Sequence, residues 1–506
     1  RNIMHVKAFA LVVWWVEVGG EQSHATHVSI VGEEFHINGQ PTFEGRKWRG
    51  VSMQGLLPNA RMVNAIFDDL NNKTRHLWKY PDTNKWDPER NTNEFVTAMN
   101  YFAANGLKAV TVSLQGGSPC GNNPQDDHPP CGEMYGRDSS GFDRHGGLRA
   151  PFFSRLASVI DRADSLGMVV FLQLFYPDQA GRIFDDDAAV IRAADNAVDW
   201  LLDRKYSNVL IDVCNECDLC RIAYRYCEPK RLSLSSLHWP ASIHTENGGI
   251  VHLRGTHGQL IQRMRQRAKA RGVTLYLSSS YVGGNLPEHD NTGQVITDPM
   301  LPEFKFFDYV NIHGNNLWHY QAGNLANMVQ QLRAHPRFRK MPVVISEDDG
   351  LCSHDGTMHW PTAEKAMHDP HKTGPLGVDC DFHFSTCQPT TRSKCAFGNA
   401  VAAKVSWGLF LGCCGFATCP AWSHNYYRGE SFQCPPIKWS VDSSYTKKLF
   451  FALLKEATGS AGLVNLASAH PSYPTCQDCW AINKGNHGDC SRIPGCDHQT
   501  CGFCTN

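Results

Sequence analysis

Asn208-Val-Leu-Ile-Asp-Val-Cys-Asn-Glu-Cys217 is a short, β-branched, largely apolar run that stops abruptly at Asn215-Glu216. A run of that length is the pattern of a strand buried on both faces, as in a parallel sheet, and an acid at its C-terminal end sits where the strand leaves the core. The pattern recurs in Met341-Pro-Val-Val-Ile-Ser-Glu347-Asp-Asp-Gly350, again a hydrophobic strand closed by a carboxylate. Two strand-end glutamates this far apart in sequence meet only if the sheet gathers the ends of its strands, which a closed barrel does.

On either side of these two strands the chain alternates strand and helix patterns. Phe35-His-Ile-Asn-Gly-Gln-Pro-Thr-Phe43 predicts a small hairpin turning at Asn38-Gly39, a lid for the closed end of a barrel. A first barrel strand is expected at about 45–53, a helix over about 93–105, and a second strand over 107–114, ending in Gln115. A helix over 151–166, with Phe153, Leu156, Val159 and Ile160 at helical spacing, leads to a third strand over 168–175 with Tyr176 at its end. Helix 187–204 precedes the Glu216 strand, the fourth. Helix 256–271 precedes the fifth, 273–280, which is followed by Tyr281. The sixth is 307–313, helix 322–335 precedes the Glu347 strand as seventh, and an insertion over 351–394 separates it from the eighth, 403–410. A helix over 444–457 closes the ring.

Eight strands alternating with helices predict an α/β fold, a (β/α)₈ or TIM barrel with long loops, and 506 residues suit a barrel grown by insertion. Such barrels keep their chemistry at the C-terminal ends of the strands, where Gln115, Tyr176, Asn215, Glu216, Tyr281, His313, Asn315, Glu347 and Trp407 fall.

Composition sets the surroundings. A formal net charge of −1 with scattered Lys and Arg leaves no basic footprint for nucleic acid, and 42% hydrophobic residues are those of a folded protein. Twenty cysteines are ordinary as disulfides outside the cell and a liability in a reducing cytosol. Met4-His-Val-Lys7 followed by Ala8-Phe-Ala-Leu-Val-Val-Trp-Trp-Val16 resembles the charged and apolar regions of a signal peptide, with Ser23-His-Ala25 as a cleavage site. A buried N-terminal strand is the alternative. The apolar run is too short to span a bilayer. The expected organisation is a signal peptide over 1–25, a barrel over 26–473, and a disulfide-stapled tail over 474–506 that carries Cys476, Cys479, Cys490, Cys496, Cys501 and Cys504 and can bind polysaccharide through Trp480. Secretion as a monomer follows, with no membrane insertion.

Asn215-Glu216, Ile345-Ser-Glu347 and Ser406-Trp407-Gly408 resemble the large clan of retaining (β/α)₈ glycoside hydrolases, whose acid/base follows an Asn at the end of strand four and whose nucleophile ends strand seven. The resemblance covers roughly 30–457. Within the clan the chain is most similar to cellulase-like bacterial proteins of unassigned activity, through 56–70, Leu114-Gln-Gly-Gly-Ser-Pro119, His313-Gly-Asn315 and Glu347-Asp-Asp349. Many clan members place an aromatic residue two positions after the strand-six His, where this chain has Asn315.

The resemblance implies hydrolysis of a β-linked poly- or oligosaccharide without cofactor or metal. Glu216 would be the proton donor, its pKa raised by burial or by its charged neighbour, and Glu347 the ionised nucleophile. Asn215 would bind the sugar 2-hydroxyl, Trp407 would offer a flat face to the ring, and His313 and Tyr176 would orient carboxylates or hydroxyls. Plainer readings stand beside these. His313 can be a structural histidine, Trp407 a packing residue, and Asp348 and Asp349 loop caps or rivals of Glu347. Cys214-x₂-Cys217-x₂-Cys220 with Cys227 matches metal-ligand spacing but would occupy the proposed substrate site, so disulfides are expected there. His354, His359, His368, His371 and His383 read as a solvated loop, and Asn72-Lys-Thr74 is a glycosylation sequon. The rival function is a barrel that has lost catalysis and binds carbohydrate or serves as an extracellular structural protein.

Overall fold

The computed structural model of the chain describes residues 26–72, 75–80, 82–115, 137–176, 179–180, 183–215, 242–244, 250–252, 257–280, 306–313, 333, 338–347, 401, 404–410, 436–437, 439–441 and 445–462. The segments expected as signal peptide, the 351–394 insertion, helix 322–335 apart from Arg333, and the Cys-rich tail lie outside these residues.

Eight strands form one sheet: β1 (Asn59–Arg61), β2 (Ala109–Ser113), β3 (Val169–Phe175), β4 (Val209–Cys214), β5 (Tyr276–Ser278), β6 (Val310–His313), β7 (Val343–Glu347) and β8 (Val405–Phe410). Their order is β5-β4-β3-β2-β1-β8-β7-β6, and every neighbouring pair is parallel. That order is the chain order read around a ring and cut between β5 and β6. Helices α1 (Pro88–Ala104), α2 (Ala150–Ser165), α3 (Asp187–Asp203), α4 (His257–Ala270) and α5 (Tyr445–Thr458) alternate with the strands. α1 starts where Asp87 accepts a hydrogen bond from the Arg90 N–H at 2.9 Å and Pro88 opens the first turn. Asp186 caps α3 in the same way through the Ala189 N–H, at 2.7 Å.

The sheet is rolled. In the ladder β3 and β6 are five strands apart, which at about 4.8 Å per strand would separate them by roughly 24 Å in a flat sheet. Instead the Phe171 and Tyr309 rings lie 5.8 Å apart between centroids, and Asn311 Nδ2 of β6 donates to Asp212 Oδ2 of β4 at 3.2 Å. The two edge strands also meet. The Asp308 N–H donates to the Leu277 carbonyl at 2.9 Å, and Ser278 Oγ donates to the Tyr309 carbonyl at 2.7 Å.

Strand alternation sends the sheet's two faces into different surroundings. Val110, Val112, Val170, Leu172, Ile211 and Val213 pack in the main core with Phe95, Phe102, Leu156, Ile160, Val190 and Ile261 of the helices. The inner face is apolar at the start of the strands, where Ala109, Val169, Phe171, Leu210, Tyr309 and Val344 form a second cluster. Val28 and Phe35 complete that cluster from the N-terminal hairpin, Phe35 being fully buried. This hairpin pairs Val28–Val31 with Glu34–Ile37 and then turns at Asn38-Gly39, both at positive φ (55° and 78°), as a type I′ turn requires. It therefore plugs the N-terminal end of the rolled sheet, as expected.

One strand lies elsewhere than the sequence suggested. The stretch 45–53 forms a separate two-stranded hairpin, Lys47–Trp48 with Val51–Ser52, turning through Arg49 and Gly50 at φ 47° and 84°, while β1 is the three-residue Asn59–Arg61. So short a strand carries too little periodicity to stand out. Its place is held by contact: a Cβ at Gly408, opposite Asn59 on β8, would overlap the Asn59 side-chain oxygen and the Ile345 carbonyl. The Leu57 N–H donates to Ser406 Oγ at 2.8 Å.

α3 and α4 are laced together on the surface. Arg263 pairs with Asp195 at 2.7 Å, Arg267 with Asp199, and Arg271 with Asp203, a ladder of matching four-residue steps. Among the described residues no helix is long and apolar enough to cross a membrane. Cys214 is buried at the end of β4, and the other nineteen cysteines lie outside the described residues.

Candidate active site

The C-terminal half of the inner face is polar. By the same alternation that makes its lower half apolar, Thr111 and Ser113 of β2, Gln173 of β3, Asp212 of β4, Asn311 of β6 and Ser346 of β7 share this face, and all are buried. This polar layer lies beneath the strand ends that hold the residues singled out by sequence.

Asn215 follows β4 directly and extends its pairing, its N–H donating to the Phe175 carbonyl at 2.8 Å. Its side chain is 2% exposed. Oδ1 accepts from Gln173 Nε2 at 2.8 Å, and Nδ2 has no partner among the described residues. Burying an amide donor without a partner is costly, so the group calls for an explanation. Glu347 is the last residue of β7 and pairs with His313 on β6 across a register shift at Ile312/His313, while Trp407 pairs with Ile345. These three are described by their backbone. Glu216, Tyr281 and Asn315 lie outside the described residues. Asn215 and Glu347 thus stand at the same end of the same parallel sheet, on β4 and β7.

Gln115 and Tyr176 are brought together as a latch. Gln115 Oε1 accepts from the Tyr176 N–H at 3.0 Å and its Nε2 donates to Ser140 Oγ at 3.3 Å, so both ends of the side chain are engaged in tying β2 and β3 to the loop that follows β2. With Gln115 3% exposed and Tyr176 5% exposed, both are buried in this structure.

The residue that sequence reasoning passed over is Asp212, inside the run that marks β4. It is fully buried, with Oδ2 accepting from Gln173 Nε2 at 2.9 Å and Asn311 Nδ2 at 3.2 Å, and Oδ1 from the Ser280 N–H at 3.0 Å. Burial pushes its pKa up to about 7, against the opposing pull of Gln173, Ser280 and the Arg61 guanidinium. Gln173 is the hub. Its Nε2 serves Asp212 and Asn215, and its Oε1 accepts from Ser113 Oγ at 2.5 Å. The signal was available: an acid in the middle of a strand buried on both faces must be supported by donors, and Gln173 and Asn311 occupy matching places on β3 and β6.

No protein-family model and no curated protein matches the sequence. Among solved structures, the chain is similar to β-mannanase from the blue mussel Mytilus edulis (12% identity, TM-score 0.42, covering 87% of this chain and 99% of that one). It is likewise similar to β-1,4-D-mannanase from Cryptopygus antarcticus (11%, 0.43, 87% and 98%). A provisionally assigned glycoside hydrolase from Bacteroides vulgatus also matches (13%, 0.40), and there the chain covers 61% of the other protein's length. At these identities and scores the likenesses do not assign a family.

Proposed function

We propose that the rolled sheet is a (β/α)₈ barrel and that the chain is a secreted retaining glycoside hydrolase acting on a β-linked glycan. Glu216 would protonate the departing glycosidic oxygen while Glu347 attacks the anomeric carbon. Water would then open the glycosyl-enzyme with Glu216 as general base. Asn215 donates to the sugar 2-hydroxyl, a contact that strengthens as the oxocarbenium-like transition state forms. His313, Asn315 and Tyr281 would contribute further contacts to the substrate. Disulfides pin the long loops, and the Cys-rich tail is an appendage to the barrel.

The observation that carries this reading is the pairing at one end of the sheet: a buried Asn215 with an unspent amide donor at the end of β4, and Glu347 closing β7. The rolling of the sheet supports it, because the contacts between β5 and β6 and between β4 and β6 draw strands far apart in the ladder towards one another. The test is release of reducing ends from cellulose, mannan, xylan and β-1,3-glucan by purified protein. Release from one of these, lost in Glu347→Gln, is the expected result. No release from any of them would instead favour a barrel that binds carbohydrate without cleaving it.

A further inference from the structure

The polar layer under the mouth is more than filling, because its hydrogen bonds run in one sense. Asp212 Oδ2 takes two amide donors, one from Gln173 and one from Asn311, and is therefore an acceptor whether or not Oδ1 carries a proton. That obliges Gln173 to turn its Nε2 towards β4. Ser113 Oγ holds the opposite end by donating to Oε1. The second Nε2 hydrogen then meets Asn215, which must present Oδ1 to it and turn Nδ2 away. Nothing in Asn215 itself selects this orientation, since an amide side chain is nearly symmetric in shape and opposite in polarity at its two ends.

We propose that Asp212 and Gln173 are positioning residues that set the polarity of Asn215, so that the ligand meets an amide N–H rather than a carbonyl oxygen. This rests on the glycosidase reading above and says which end of Asn215 that reaction needs. A sugar hydroxyl has one proton to give. If that proton goes to the Glu347 carboxylate, the hydroxyl has only acceptor capacity left, and a donor must stand on its other side.

The isosteric substitution Asp212→Asn inverts the relay. The introduced side chain keeps an oxygen towards the Ser280 N–H and places its new amide group where Oδ2 was, facing two donors. Asn311 relieves the conflict by rotating, since its Oδ1 has no partner among the described residues. Gln173 rotates as well, because Ser113 Oγ can accept as readily as donate. Asn215 then follows, leaving its carbonyl outward. Gln173→Met severs the relay without inverting it.

The experiment compares kcat/KM for 2,4-dinitrophenyl β-cellobioside and β-mannobioside with their counterparts lacking the 2-hydroxyl of the sugar that carries the leaving group, in wild type, Asp212→Asn and Gln173→Met. A merely structural role would lower both members of a pair alike. The expected result is that the preference for the hydroxylated substrate falls by about tenfold or more in both variants, the value of one good hydrogen bond, while turnover of the deoxy substrate changes by less than about threefold. An unchanged preference, or equal losses on both substrates, overturns the proposal. Should Asp212→Asn not fold, Gln173→Met decides alone by the same ratio. Should wild type hydrolyse none of these glycosides, the glycosidase reading itself fails and the positioning role falls with it.

Discussion

Asp212→Asn also carries a stability signature whose sign is fixed by the structure. The carboxyl is wholly buried and burial raises its pKa from 3.8 to about 7. Between these values the folded state holds a proton that the unfolded chain has released. Stability therefore falls as pH rises through that window, whereas the contribution of a salt-bridged carboxylate grows as pH rises through its own lowered pKa, below the window. The width of the window corresponds to about 4 kcal/mol between acid and mildly alkaline solution, at about 1.4 kcal/mol per pH unit. The neutral amide of Asp212→Asn does not titrate. The stability of the variant relative to wild type is thus expected to rise by about 1 kcal/mol per pH unit from about pH 4 to about pH 7, and then level off. Urea denaturation of both proteins at closely spaced pH values across and beyond this window measures it. Two stability curves that run parallel across the window would refute the claim that Asp212 is protonated in the folded state below neutrality, and would mean that its donors and Arg61 hold it ionised.

Phe35→Ala removes the side chain that plugs the inner apolar cluster and should cost about 3–5 kcal/mol in chemical denaturation, whereas Val31→Ala on the exposed side of the same hairpin should cost less than about 1 kcal/mol. Reversing the ladder with Arg263→Asp, Arg267→Asp and Arg271→Asp together should lower the melting temperature at low salt. Much of the loss should return at about 1 M NaCl, or on exchanging Asp195, Asp199 and Asp203 for Arg in the same chain. Gly408→Ala should destabilise by about 1–3 kcal/mol because β1 and β7 approach too closely to admit a methyl group, and a circular dichroism melt detects this.

How far the sequence carried the fold follows from strand length and burial. β3, β4, β7 and β8 are runs of five to seven residues, and their apolar pattern located them to within a residue or two. The Asn38-Gly39 turn was legible because its backbone geometry admits few other residues. β1 was missed because three residues, Asn59–Arg61, carry no period, and two of the three are polar. The start of α1 was placed about five residues late: Asp87-Pro88 announces it, ahead of the first apolar repeats. At the candidate site the strand-end residues were legible because strands in a parallel sheet end where the apolar run ends. The layer beneath them was not. Asp212 reads as one polar interruption of a hydrophobic strand, and its meaning depends on Gln173, in register with it on the neighbouring strand, and on Asn311, from a strand that only the rolled sheet brings near.

The central claim is that Glu347 forms a covalent bond to the sugar, and trapping that bond tests it most directly. Wild-type protein is incubated with a 2-deoxy-2-fluoro β-glycoside of whichever sugar it hydrolyses, one that carries a good leaving group, then digested and mapped by mass spectrometry. The fluorine slows both steps and the leaving group restores the first, so the glycosyl-enzyme should accumulate with the adduct on Glu347. An adduct on Asp348 or Asp349, or full turnover with inverted configuration and no adduct at all, would contradict the account.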